Sequence, residues 1–348
     1  MSLADTVLAV MWVAVTLYAV FAGADFGAGF WDLVAGGARG GASQRRLIEH
    51  SIAPVWEANH VWLIFILVVL WTGFPVAFAS IMAVLYIPLT AAAVGVILRG
   101  AGFAFRKSVD GLRMRRLFGA AFAASSVLTP FFLGAAVGAV ASGRVPIEPA
   151  EIDPFDAWLH PTSMLAGTLA VASSAYLAAA FLAADAARQH QRSLAERYRR
   201  LGALSALATG VVALAGIVIL HADAPRLYEG LIGRGLPLIL ASAVAGLSSV
   251  GLLILGRYRP ARVAAVIAVV AVVWGWAAAQ YPQLLVGELT IDEAAGSRAT
   301  LTAMLASLAV GSVLFVPPLI ALLVIHARGG LTSDGPERPA SLHQPKAS

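Results

Sequence analysis

Apolar runs of about 20 residues recur nine times along the chain, at 6–31, 54–72, 76–98, 117–141, 160–184, 202–221, 236–256, 263–282 and 300–326. At 1.5 Å per residue, a helix of that length matches the hydrocarbon thickness of a bilayer. The pattern predicts nine transmembrane helices and an all-α polytopic membrane protein. One domain is expected over 1–327, divisible into four-helix halves 1–141 and 160–282 plus the helix 300–326. The remainder, 328–348, is rich in Pro, Ser and charge and is expected to be a disordered tail.

The segments between the runs fall into two alternating classes. Segments 32–53, 99–116, 185–201, 257–262 and 327–348 hold 20 of the 24 Lys and Arg residues. The opposite segments are acidic, with Glu148, Glu151, Asp153 and Asp156, then Asp223 and Glu229, then Glu288, Asp292 and Glu293. Positive charge marks the cytoplasmic side. This puts the N-terminus outside and the C-terminus and its tail in the cytoplasm.

Composition adds three points. The chain has 348 residues, 59% hydrophobic and 12% charged, where a soluble domain carries about 25% charged residues. Its pI near 9.9 follows from the basic loops and signals topology, so no nucleic-acid partner is expected. The absence of cysteine excludes disulfides, thiolate ligands, Cys-ligated iron–sulfur clusters and covalent haem attachment through C-x-x-C-H. The first run lacks a basic leader and is read as retained.

Charged and polar residues inside apolar runs carry the chemistry. A charge at mid-bilayer costs roughly 3 kcal/mol on insertion scales and marks a functional candidate. The stretch Pro54-Val55-Trp56-Glu57-Ala58-Asn59-His60-Val61-Trp62-Leu63 is the richest. Pro54 reads as the first turn of the second helix, with Glu57 near that helix's N-terminus, where its dipole favours an anion. His60 lies one turn on, on the same face. Asp25 sits near the cytoplasmic end of the first run, roughly 7–8 Å deep at 1.5 Å per residue. Asp25 and Glu57 therefore belong at similar depth and read as a proton- or cation-handling pair, with Asn59 and His60 beside them. The competing reading makes both acids satisfied structural carboxylates.

Other residues read more simply. Gly23 with Gly27, and Gly134 with Gly138, are spaced for close helix approach. Trp56, Trp62 and Trp71 read as interface anchors, Arg99 as a positive-inside anchor, Asp185 as a solvated helix end, and His50 as a loop residue. No two histidines are matched in depth on facing runs, so no haem is expected in this chain. A proton-coupled secondary transporter using Asp25 and Glu57 would also fit these residues. Against it, transporters place their sites near mid-membrane and in paired repeats.

Three motifs resemble subunit II of the cytochrome bd quinol oxidases, including the cyanide-insensitive variants: Gly23-x-Asp25-Phe26-Gly27-x-Gly29, Pro54-x-Trp56-Glu57-x-Asn59-x-Val61-Trp62-Leu63, and Arg99-x-x-Gly102-Phe103-x-x-Arg106. Weaker echoes follow at Pro130-x-x-x-Gly134-x-x-x-Gly138, His160-Pro161 and Tyr281-Pro282. The resemblance implies a multi-pass protein of the bacterial cytoplasmic membrane, in a complex that oxidises quinol and reduces O2 to water. It places haem b and haem d in partner subunit I, with a small accessory subunit and a structural quinone in some members. It maps the family's proton-path acids onto Asp25 and Glu57, and brings Trp56, Trp62 and Arg99 in as candidates for quinone or subunit contact. Glu57 stands where many members have Asp, and His60 where many have Gln.

Overall fold

The computed structural model describes residues 2–36, 40–106, 112–148 and 153–327, and at 52–58, 103, 104, 106, 112, 115, 116, 315, 316 and 319–327 it describes the backbone and not the side chains. The expected tail lies outside the described residues. Helices dominate: α1 (Leu3–Leu33), α2 (Ala42–Gly73), α3 (Pro75–Val84), α4 (Tyr86–Arg106), α5 (Leu112–Ala141), α6 (Pro161–Arg188), α7 (Arg192–Asp223), α8 (Pro225–Ile232), α9 (Leu236–Ile254), α10 (Tyr258–Gln280), α11 (Ile291–Ala294) and α12 (Arg298–Ala327). A two-stranded antiparallel ladder, β1 (Gln283–Leu285) with β2 (Leu289–Thr290), precedes α11.

Among the described residues six helices are long and apolar enough to span a bilayer: α1, α5 from Leu117, α6, α7, α9 and α10. A seventh is counted if Asn59–Gly73 and α3, bent by 119° at their junction, form one span. The chain is thus a helical multi-pass membrane protein.

Several boundaries differ from the hydropathy reading. α2 begins at Ala42, so Pro54 lies in its interior and is not its first turn. Glu57 is about four turns from the helix start and gains nothing from the dipole, which fades within the first turn. His50 is helical, not a loop residue. The reason is that residues 42–53 are polar but good helix formers, and hydropathy marks lipid contact rather than helicity. The third run is broken at Leu85 into α3 and α4. Pro88 lacks an N–H, so the Val84 carbonyl loses its partner one turn on. The segment between the last two apolar runs forms the hairpin and the capped turn α11. There Thr290 and Glu293 bond each other's backbone N–H.

α1 and α6 make the centre. α1 packs on α2, α5 and α6; α6 packs in turn on α5, α7 and α10, while α4 pairs with α5 and α9 with α10. Small residues make this contact close. A Cβ on Gly27 would run into the backbone carbonyl of Ser174 and come within 2.8 Å of the Ala178 Cβ. Trp31 Nε1 donates to the Ala175 carbonyl at 2.8 Å across the same seam. Gly134 and Gly138 similarly seat α5 on Ala166 and Ser163 of α6. α7 and α9 turn Leu207, Leu214, Val218, Val244 and Leu247 outward, each more than half exposed, as lipid-facing helices should.

The acidic end is tied by one carboxylate. Asp223 at the end of α7 takes two bonds from the Arg144 guanidinium, at 2.6 and 3.3 Å, and two from the Thr162 hydroxyl and N–H, at 2.5 and 3.0 Å. This joins the ends of α5, α6 and α7.

Candidate functional site

The motif around Asp25 closes on Arg99. Asp25 lies eight residues before the end of α1, about 12 Å along the axis, and is 2% exposed. Arg99 on α4 is fully buried. Its NH2 donates to Asp25 Oδ1 at 2.6 Å and to the Asp25 carbonyl at 2.8 Å, and its Nε donates to Oδ2 at 3.2 Å. NH1 donates to the Ser126 hydroxyl on α5, which itself donates to the Phe122 carbonyl at 2.7 Å. The guanidinium also lies over the Phe26 and Phe122 rings, 5.0 and 4.4 Å from their centroids. A bidentate Arg–carboxylate pair is the strongest hydrogen-bonded arrangement two side chains make, and it offsets the cost of burying both charges.

Each motif position has a physical task here. Phe26 supplies a ring face to the cation. Gly29 leaves room for the arginine, since a Cβ there would sit 2.8 Å from Arg99 NH1 and 2.7 Å from the Ser126 Cβ. Gly102 admits α5, because a Cβ would meet the Phe118 carbonyl and the Phe122 Cβ, both at 2.9 Å. Arg99, fully buried, is therefore not a surface anchor. It is the intramolecular partner of Asp25.

Asn59 extends this polar centre onto α2. It is 3% exposed, and its amide donates to the Phe21 carbonyl of α1 at 3.4 Å. Its Oδ1 finds no hydrogen-bond partner among the described residues. His60 and Trp62 follow on α2, both half-buried. The side chains of Trp56 and Glu57 lie outside the described residues. Their backbone is helical, and the Phe21–Asn59 contact fixes the register of two antiparallel helices. Along the axis this puts the Glu57 and Asp25 backbones about 3 Å apart in level.

Sequence reasoning missed Ser126, the third corner of the Arg99 cluster. Its only trace is a Ser125-Ser126 pair inside an Ala- and Phe-rich helix. It also misplaced Asp185, which is 8% exposed rather than solvated and lies between Arg188 at 3.3 Å and Arg262 at 3.8 Å. Asp32, 7% exposed, pairs with Arg45 at 2.9 Å at the corresponding end of α1. Among the described residues no group of three His, Asp or Glu side chains is arranged to hold a metal ion.

A family model for cytochrome bd terminal oxidase subunit II matches residues 3–325. The cytochrome bd-I ubiquinol oxidase subunit 2 of Escherichia coli K12 is 28% identical over 214 residues, 59% of this chain and 54% of that protein. The cytochrome bd ubiquinol oxidase subunit 2 of Bacillus subtilis 168 is 32% identical over 91 residues, 26% of this chain and 27% of that protein. The alignment thus spans about half the length of the first of these relatives and less of the second. A chain in the structure of bd oxidase from Geobacillus thermodenitrificans superposes with a TM-score of 0.74 at 27% identity, covering 94% of this chain and 99% of that one.

Proposed function

Because this chain belongs to the cytochrome bd terminal oxidase subunit II family, we propose that it is subunit II of a bd-type quinol oxidase in a bacterial cytoplasmic membrane. The match across residues 3–325 carries the reading. In it the chain spans the bilayer nine times, with its N-terminus outside and its arginine-rich end in the cytoplasm, and assembles with subunit I. The haems b and d belong to subunit I and supply the electron transfer from quinol to O2. This chain braces that subunit and is not catalytic alone.

We further propose that it contributes a proton-uptake path through Glu57, Asn59 and His60, with Asp25 at its base. Glu57 lies one turn from His60 on the same helix face, and an imidazole has one nitrogen that can accept a proton and one that can donate it. The free Oδ1 of Asn59 offers an acceptor between α1 and α2. Asp25, held by Arg99, fixes the charge at the inner end of this centre. Trp56, Trp62 and Arg99 are the candidates for contact with a quinone or with subunit I.

Quinol-driven oxygen uptake by purified complexes, matched for haem content, tests the path. Glu57→Gln should keep haem and slow uptake, and Glu57→Asp should restore most of it, because the titrating group returns. Full activity in Glu57→Gln would remove Glu57 from the path. The transporter reading predicts instead a colourless chain that purifies without a haem-bearing partner.

A further inference from the structure

At the arginine-rich end of the second half, the turn between α6 and α7 meets the start of α10 and leaves a cavity of about 450 Å³. Its walls are Ala187, His190, Arg192, Ala195, Glu196 and Tyr258. His190 makes the turn in the left-handed conformation, at φ 58°. The N-cap residues of α7 and α10, Gln191 and Arg257, give no side-chain cap to their helix starts.

The charge around the cavity is one-sided. Segments 185–201 and 257–262 hold eight arginines against two carboxylates. Both carboxylates are committed. Glu196 accepts from Arg199 at 2.6 and 2.7 Å and from Arg200 at 2.9 Å. Asp185 lies between Arg188 and Arg262. Arg192, Arg257 and Arg259 have no carboxylate partner among the described residues. Arg199 also donates to the Ile254 carbonyl at 3.0 Å and so ties α7 to the end of α9.

We propose that this cavity binds a phosphate group, and that its occupant is the headgroup of an anionic phospholipid. The Arg192 guanidinium and the Tyr258 hydroxyl supply donors of the kind phosphate oxygens accept, with guanidinium able to bind two of them at once. The position favours a lipid over a soluble anion. The cavity sits at the ends of membrane-spanning helices, the level of headgroup phosphates. Further along α7, Leu204 and Leu207, and at the end of α9 Ile254 and Leu255, are each more than half exposed, an apolar surface along which acyl chains can lie. With Glu196 neutralised by two arginines, the one acid in the wall does not repel the headgroup.

Native mass spectrometry of the complex purified in detergent, with phosphatidylglycerol or phosphatidylcholine added, tests this. The complex should retain phosphatidylglycerol in preference. Arg192→Gln should cut that retention about fivefold, the contribution of one arginine near an anionic membrane surface. Tyr258→Phe should weaken it less. Arg113→Gln, an exposed arginine on α5 outside the cavity, should leave it unchanged. Calorimetric titration of the delipidated complex with inorganic phosphate separates the two sources. Phosphate binding that depends on Arg192, without a preference between the lipids, would overturn the lipid headgroup as the occupant. Unchanged phosphatidylglycerol retention in Arg192→Gln would overturn the site. The readout is bound lipid rather than oxygen uptake, so its failure leaves the oxidase reading untouched.

Discussion

Arg99 on α4 grips both carboxylate oxygens of Asp25 on α1, at 2.6 and 3.2 Å, with both side chains no more than 2% exposed. The two residues stand 74 positions apart in the chain, and their bond pins α4 against α1 with Ser126 of α5 as the third corner. Removing one partner of such a pair strands the other charge in an apolar interior, at about 3–5 kcal/mol. Arg99→Gln and Asp25→Asn should each lower the melting temperature of the purified protein sharply. The double variant should cost clearly less than the sum, because neither charge is then stranded. Additive losses would show that the pair is not coupled.

The same geometry separates Asp25 from Glu57. If both acids served only as equivalent relay members, Asp25→Asn and Glu57→Gln would behave alike. With Asp25 locked to Arg99, Asp25→Asn should instead lose assembled, haem-bearing complex, while Glu57→Gln should keep it and lose turnover. Haem content per complex, measured beside oxygen uptake, distinguishes the outcomes. Normal haem with slowed uptake in Asp25→Asn would make Asp25 a relay member after all.

How much of this was legible beforehand follows from what hydropathy measures. Lipid-facing stretches announce themselves, and all nine apolar runs begin in or beside a helix. Helix starts made of polar residues do not, which is why the hydropathy pattern starts α2 at Pro54 and the structure at Ala42. The motif glycines were legible as close-packing positions, yet their tasks differ: Gly27 faces the Ser174 backbone and Gly29 the Arg99 guanidinium. Partnerships across 74 residues leave no periodic trace, so Arg99 read as an interface anchor. Asp185 read as solvated because its second partner, Arg262, lies 77 residues on, across the α6–α10 contact.

The capped turn α11 should respond to acid. Hydrogen bonds from the Thr290 N–H and hydroxyl hold the Glu293 carboxyl below its ordinary value of 4.5. A group whose folded value is depressed stabilises the fold above its ordinary value and loses that contribution as pH falls through the lowered one. The protection of the loop 289–296 against hydrogen exchange, taken relative to the intrinsic rate at each pH, should therefore fall below about pH 4.5. In Glu293→Gln the exchange should be faster at neutral pH, with the acid-dependent step gone. A wild-type loop whose protection does not change on acidification would show that the cap does not hold the turn.

The seam between α1 and α6 should discriminate between two glycines one turn apart. At Gly27 a Cβ would drive into the Ser174 carbonyl. That carbonyl belongs to the backbone of α6, and the next one, Ala175, is fixed by the Trp31 indole at 2.8 Å, so the helix cannot step aside without breaking its own bonds. At Gly23 a Cβ would meet the tip of Leu177 at 3.2 Å, a side-chain end that need give only a few tenths of an ångström, and the Ser174 hydroxyl at an ordinary contact distance of 3.6 Å. Overpacking typically costs about 1–3 kcal/mol where neighbours can shift and more where they cannot. Gly27→Ala should therefore reduce the yield and melting temperature of the folded protein, and Gly27→Leu should abolish folded protein. Gly23→Ala should remain close to wild type on both measures. Equal tolerance of alanine at the two positions would mean that α1 and α6 do not approach as closely as the Gly27–Ser174 contact requires.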